Sequence, residues 1–219
     1  MEVLVGATTS QSTIDATSTC FCFPRIYYLV TMLTPNFSPF PELHTDRLLL
    51  RKWTLEDAPG LLQLRSDPDV MRYINRPVLS SVEQATAWIN MILDSLEKTE
   101  GISWCMSLKD SPQEHIGNIG LWRIDKENYR AEVGYMLSPA WQGKGIMYEA
   151  LVAIIDYGFE QMGLHSIEAQ LDPLNLASAA LLRKAGFVQE GYYRENCLMN
   201  GVFTDTAVYS LLASDKRVS

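Results

Sequence analysis

Two periods of hydrophobic and polar positions alternate along the chain. From Ser81 to Lys98 the apolar residues Ala85, Trp88, Ile89, Ile92, Leu93 and Leu96 recur every three or four positions, which predicts a helix. Ser81 and Gln84 stand at capping-box spacing ahead of it. A second helical stripe runs from Met147 through Ala150, Leu151, Ile154, Ile155, Phe159 and Met162. Shorter helices are predicted at "TLEDAPGLLQLRS", with Thr54 as N-cap and Asp57 three residues on, and at "NLASAALLRKAGF", with Asn175 as cap and Gly186 as stop. Strand-like runs fill the rest: 47–53, 102–109, 115–124, 131–137, 163–171, 186–196 and 202–212. "DSPQE" and Asn200-Gly201 are turn signals between neighbouring runs. Residues 66–79, broken by Pro68 and Pro77, read as a loop or interrupted helix.

The resulting order, β-α-α-β-β-β-α-β-α-β-β, predicts one α/β (α+β) domain with a mixed sheet flanked by helices. There are no internal repeats. Residues 1–31 are rich in Ser and Thr and show no period, and Pro35, Pro39 and Pro41 make an extended lead-in. We therefore expect a disordered arm over 1–40 and a domain over 41–219, with Met32 a plausible alternative start. The apolar segment Cys20–Leu33 contains Pro24 and Arg25, and no positive charge precedes it. It fits neither a membrane span of about 20 residues nor a signal peptide, so no membrane partner is expected.

Composition narrows the function classes. The formal charge is −8, and a domain this acidic lacks the basic face that duplex nucleic acid requires. Cysteines at 20, 22, 105 and 197 and histidines at 44, 115 and 165 show no metal-ligand spacing. No metal is expected. Nothing calls for disulfides, so a cytoplasmic location is the default.

One stretch carries chemistry. "WQGKGIM" (141–147) sets two glycines at the mouth of the long helix. Helix N-termini leave N–H groups unpaired and carry positive potential, and glycines let an anion approach that backbone. The stretch is not a Walker A loop, because Lys144 is followed by glycine. It is not a dinucleotide fingerprint either, because Tyr148 stands where the third glycine belongs.

The strand "AEVGYML", the Ser-Pro break, this turn and the helix together resemble the GNAT superfamily of acetyl-CoA-dependent N-acetyltransferases, and the RimJ/RimL branch most of all. The superfamily motif Q/R-x-x-G-x-G/A falls on Gln142, Gly145 and Met147, and Met147 departs from the small residue of that motif. "LHTDRLLLRKW", "NLASAALLRKAGF" and "GYYRE" extend the resemblance over roughly 43–213. It implies a mixed, mostly antiparallel seven-stranded sheet, about four flanking helices and a splayed central strand pair.

The resemblance also implies roles. Acetyl-CoA is the expected co-substrate and a primary amine the acceptor, with a monomer or homodimer as the working unit. Gln142, Gly143, Lys144, Gly145, Ile146 and Met147 would cradle the pyrophosphate. Backbone groups of Tyr135, Met136 and Leu137 would hold the thioester oxygen. Asn175 would reach the pantetheine arm, and Ser178 would lie near the sulfur. Many relatives place an acidic tyrosine seven residues after that asparagine; here the position is Leu182, which leaves Ser178 as candidate acid. Glu132 is the candidate base, with an outward-facing strand carboxylate as the alternative. Tyr73, Trp122 and Tyr135 are candidate pocket walls, and Arg72 and Arg76 candidate anion partners. The branch favours a protein N-terminal α-amine. A small amine such as a polyamine, amino acid or aminoglycoside remains open, as does a CoA-binding module without catalysis, which Met147 and Leu182 invite.

Overall fold

The computed structural model describes residues 32–215. The strand-like runs assemble into one eight-stranded sheet. In chain order the strands are β1 (Leu43–His44), β2 (Leu48–Arg51), β3 (Ile102–Leu108), β4 (Gly117–Asp125), β5 (Arg130–Leu137), β6 (Ser166–Leu171), β7 (Val188–Met199) and β8 (Val202–Leu212). Across the sheet they lie β1-β2-β3-β4-β5-β6-β8-β7. Six of the seven neighbouring pairs are antiparallel, and β5–β6 is parallel. The sheet has one strand more than the expected seven. β1 pairs with β2 over only two positions, too few to leave a periodic signal.

The helices are α1 (Ala58–Ser66), α2 (Pro68–Met71), α3 (Val82–Glu97), α4 (Ile146–Asp156) and α5 (Leu176–Lys184). Four were expected, and α2 is the fifth. Pro68, read as an interruption, is its first residue, where a missing N–H costs nothing, and the Asp67 carboxylate accepts from Asp69 N and Val70 N. Ser81 caps α3 by accepting from Gln84 N. The long stripe from Met147 divides in two, because α4 ends at Asp156 and a π-helical turn follows over Tyr157–Gln161. No described helix is long and apolar enough to cross a membrane.

The core lies on both faces of the sheet. One cluster joins Leu48, Leu50, Trp104, Met106, Val133 and Leu137 to α4, α5 and β8. The other joins Trp53, Cys105 and Trp122 to α1 and α3. Leu33 and Phe37 belong to the first cluster, and Leu33 N donates to Lys126 O at 2.9 Å. The expected arm is therefore corrected over 32–40, where two apolar side chains gain on the order of 1.5–3 kcal/mol each by burial. The remainder of that arm, residues 1–31, lies outside the described residues.

The middle of the sheet positions the site. β5 and β6 pair at only three positions, Arg130↔Ser166, Ala131↔Ile167 and Glu132↔Glu168. Beyond them β5 stays with β4 as far as Gly117↔Leu137, while β6 stays with β8 as far as Leu171↔Ala207. Gly117 draws β5 tight against β4: a Cβ there would lie 2.5 Å from Met136 O. The implied splay is present.

A buried ion pair fastens α1 to the sheet. Arg51 Nη2 meets Asp57 Oδ1 at 2.6 Å, Nη1 meets Oδ2 at 2.8 Å, and Thr54 N donates to Oδ2 at 2.9 Å. Burial raises the Asp57 pKa, but the bonds from Arg51 and Thr54 outweigh it and hold the carboxyl below its usual range. Beside it, burial pushes His115 below 6.5, with its ring centroid 5.1 Å from Trp53.

Removing one partner of a buried pair leaves a charge uncompensated, so Asp57→Ala should cost about 3 kcal/mol in urea unfolding. Acidification should also destabilise the fold. Below pH 6.5 the unfolded chain protonates His115 before the folded one does. The Asp57 contribution is complete above its unfolded pKa of 3.8 and is lost as pH falls through its lower folded value. Urea midpoints measured at pH 7.5, 6 and 4.5 should fall in that order.

Candidate active site

The glycine-rich turn begins where β5 ends. Pro139–Trp141 form a 3-10 turn, and the Gln142 carboxamide reaches back to donate to Leu137 O at 3.0 Å. Gly143 and Gly145 adopt φ of 71° and 75°, the left-handed region where a side chain is strained. Gly145 is the N-cap of α4, with no side chain filling that place. A Cβ at Gly143 would meet nothing within 4 Å, so the turn is open above its backbone. Its shape suits a phosphate-sized anion received by α4 N–H groups.

Arg47, which the sequence reading passed over, stands against this turn. Its Nε donates to Glu149 Oε2 at 2.6 Å and its Nη1 to Lys144 O at 3.0 Å. Nη2 lies 3.5 Å from where a Gly145 Cβ would project. Glu149, in the first turn of α4, also accepts from Arg47 N and Thr45 Oγ1. Lys144 Nζ sits over the Trp141 ring at 5.0 Å. Ile146 and Met147 are buried in the core. Met147 therefore fills the interior rather than the phosphate space, which accounts for its departure from the motif.

On the sheet face shared with α4 and α5, Tyr135 Oη and Ser178 Oγ are 2.7 Å apart. The Asn175 side chain accepts from Ser178 N at 3.1 Å and so caps α5. Leu182 is fully buried. A phenol nevertheless stands beside Ser178, supplied by β5. Burial raises the Tyr135 pKa to about 12, although its bond with Ser178 opposes the shift. Tyr135 keeps its proton at neutral pH and remains a donor.

Glu132 lies on the opposite face, where it registers against Trp122 of β4. Arg123 Nη1 donates to its Oε2 at 2.7 Å. Burial raises the Glu132 pKa, and the Arg123 charge and hydrogen bond lower it; burial prevails. A half-buried carboxylate made more basic than an exposed one suits proton acceptance.

The sequence model of the acetyltransferase (GNAT) domain matches residues 47–188. The chain belongs to the GNAT acetyltransferases. It is an acetyl-CoA-dependent N-acetyltransferase. An uncharacterized N-acetyltransferase, p20, of Bacillus licheniformis is 41% identical over 170 residues, spanning 78% of this chain and 95% of that one. The [ribosomal protein uS5]-alanine N-acetyltransferase of Escherichia coli is 39% identical over 118 residues, or 53% of this chain and 61% of that one. The crystal structure of a GNAT acetyltransferase from Bacillus anthracis superposes with a TM-score of 0.70 at 26% identity, covering 78% of this chain and 98% of that one.

Within this GNAT domain the expected residues divide into three groups. The turn 142–147, the end of β5 and the start of α5 converge on the splay. Glu132 and Trp122 meet on the other face. Tyr73, half-buried in the loop after α2, makes no hydrogen bond to any of them, and Arg72 is engaged by Asp69 at 3.0 Å. Gly145→Asp would set a side chain and a negative charge into the phosphate space. Calorimetric titration with CoA should show affinity reduced at least ~100-fold, about 2.7 kcal/mol, with the circular dichroism spectrum unchanged. Retained affinity would refute the cradle.

Proposed function

We propose that this enzyme acetylates a protein N-terminal α-amine, by direct attack of the neutral amine on acetyl-CoA in a ternary complex. It acts in the cytoplasm as a monomer or homodimer. The observation that carries this reading is the disposition of groups about the gap between β5 and β6. A carboxylate, Glu132, stands on one face of β5, and a phenol–hydroxyl pair, Tyr135 and Ser178, stands on the other. The N-terminal acceptor is supported by the likeness to the uS5-alanine enzyme over 118 residues.

The steps follow from the positions. Glu132 accepts a proton from the incoming ammonium, directly or through one water. The neutral nitrogen attacks the thioester carbon and a C–N bond forms. Backbone N–H groups of Tyr135 and Leu137, on the edge of β5 that faces no strand, stabilise the oxyanion. Met136, also expected there, turns its N–H toward β4, because successive residues of a strand alternate. As the C–S bond breaks, Ser178 passes a proton to the sulfur and takes one from Tyr135, which recovers it from solvent, while the nitrogen of the adduct gives up its second proton to water. The products are an amide and a free thiol.

Two outcomes test this assignment. Glu132→Gln should lower kcat/KM about 100-fold near pH 7, and the loss should shrink as pH approaches the amine pKa. A pH-independent loss, or none, removes Glu132 as base. Tyr135→Phe should lower kcat about 10-fold or more with acetyl-CoA. It should cost much less with an aryl thioester, whose thiolate leaves without a proton. An equal loss with both thioesters would contradict the acid role.

A further inference from the structure

We propose that Arg123 and Arg76 form an anion subsite beside Glu132, so that the acceptor is an amine carrying a carboxylate close to its nitrogen. The proposal rests on Glu132 receiving the amine. Its starting point is the way Arg123 is held. The β4–β5 register shifts between Trp122 and Asp125, and within that irregularity Arg123 adopts φ 48°. A left-handed backbone is unfavourable for arginine, and such strain collects at functional sites. It turns the side chain onto Glu132, where Nη1 makes its 2.7 Å bond. The side chain is still 66% exposed, so its other donors face solvent.

Arg76 approaches from a different element. It lies in the segment between α2 and α3, which is clasped to β7 by Asn75 Nδ2 donating to Leu198 O at 3.2 Å and to Cys197 Sγ at 2.9 Å. From there its charge lowers the proton affinity of Glu132. Arg76 has no ion-pair partner among the described residues. Glu168, the nearby like charge on β6, is already matched by Arg130 and accepts from Gln170 Nε2. Apart from the Arg130–Glu168 pair, the balance here is therefore one carboxylate, Glu132, against two guanidiniums, Arg123 and Arg76.

That balance selects among amines. An ammonium bound at Glu132 displaces Arg123 and leaves two cations without partners. A carboxylate on the same molecule neutralises them, and guanidinium forks suit carboxylates in two-point contact. A polyamine would add charge to a site that is locally positive, although the chain as a whole carries −8.

Two peptides that differ only in Glu or Gln at the second position, each with N-terminal Ala, test this at low salt. Binding to the CoA-saturated enzyme is read by calorimetry, and turnover by release of free thiol. The Glu peptide should bind at least ~10-fold tighter, about 1.4 kcal/mol, and show the higher kcat/KM. Arg123→Gln and Arg76→Gln should each reduce that ratio, chiefly through KM, and Arg123→Lys should restore part of it. Equal affinity for the two peptides, tighter binding of spermidine, or a ratio untouched by both variants would overturn the subsite. Failure of CoA itself to bind would sink the acetyltransferase reading and the subsite together.

Discussion

Everything at this site depends on the parting of two adjacent strands. A buried strand edge without a partner leaves N–H and C=O groups unsatisfied, and folded chains avoid that. Here β5 and β6 separate after three paired positions because each is held more firmly by its outer neighbour. Glycine on β4 lets β5 close against it where any side chain would collide with Met136 O. The gap supplies polar backbone at the carboxyl end of a strand, the usual ligand position in open α/β sheets. The candidate base and acid stand on its two faces, Glu132 on one and Tyr135 with Ser178 on the other.

Electrostatics then separate the candidate base from the candidate acid. Burial acts on both, but in opposite functional senses. It makes Glu132 a better acceptor than an exposed carboxylate, and it keeps Tyr135 protonated. Arg123 tempers the first shift without cancelling it. The glycine turn is organised separately. Glu149 gathers Thr45, Arg47 and the first turn of α4 into one unit, and Arg47 then braces the Lys144 carbonyl. The turn is thereby shaped by the fold rather than by its ligand.

Much of this was legible in the sequence where periodicity or turn chemistry decides. The two long stripes gave α3 and α4, Asn175 gave the α5 cap, and the glycines gave the open left-handed turn before α4. Elements too short for a period escaped, as β1 did, and Pro68 was read as a break where it starts a helix. Contacts between distant positions left no local signal. Arg47 with Glu149, Arg123 with Glu132 and Tyr135 with Ser178 are pairs that only strand register and helix placement bring together. Leu182 closed one route to a phenol, while β5 opened another that spacing along the chain could not reveal. Met147 and Leu182, which invited a reading without catalysis, are both core residues.

The central claim is that the unpaired edge of β5 and the glycine turn together receive acetyl-CoA. Amide hydrogen exchange, resolved by residue with and without acetyl-CoA, tests it most directly. The account predicts slowed exchange at Tyr135, Leu137 and 143–147, with β8 unchanged. Acetyl-CoA binding that leaves exchange at both segments unaltered would contradict it.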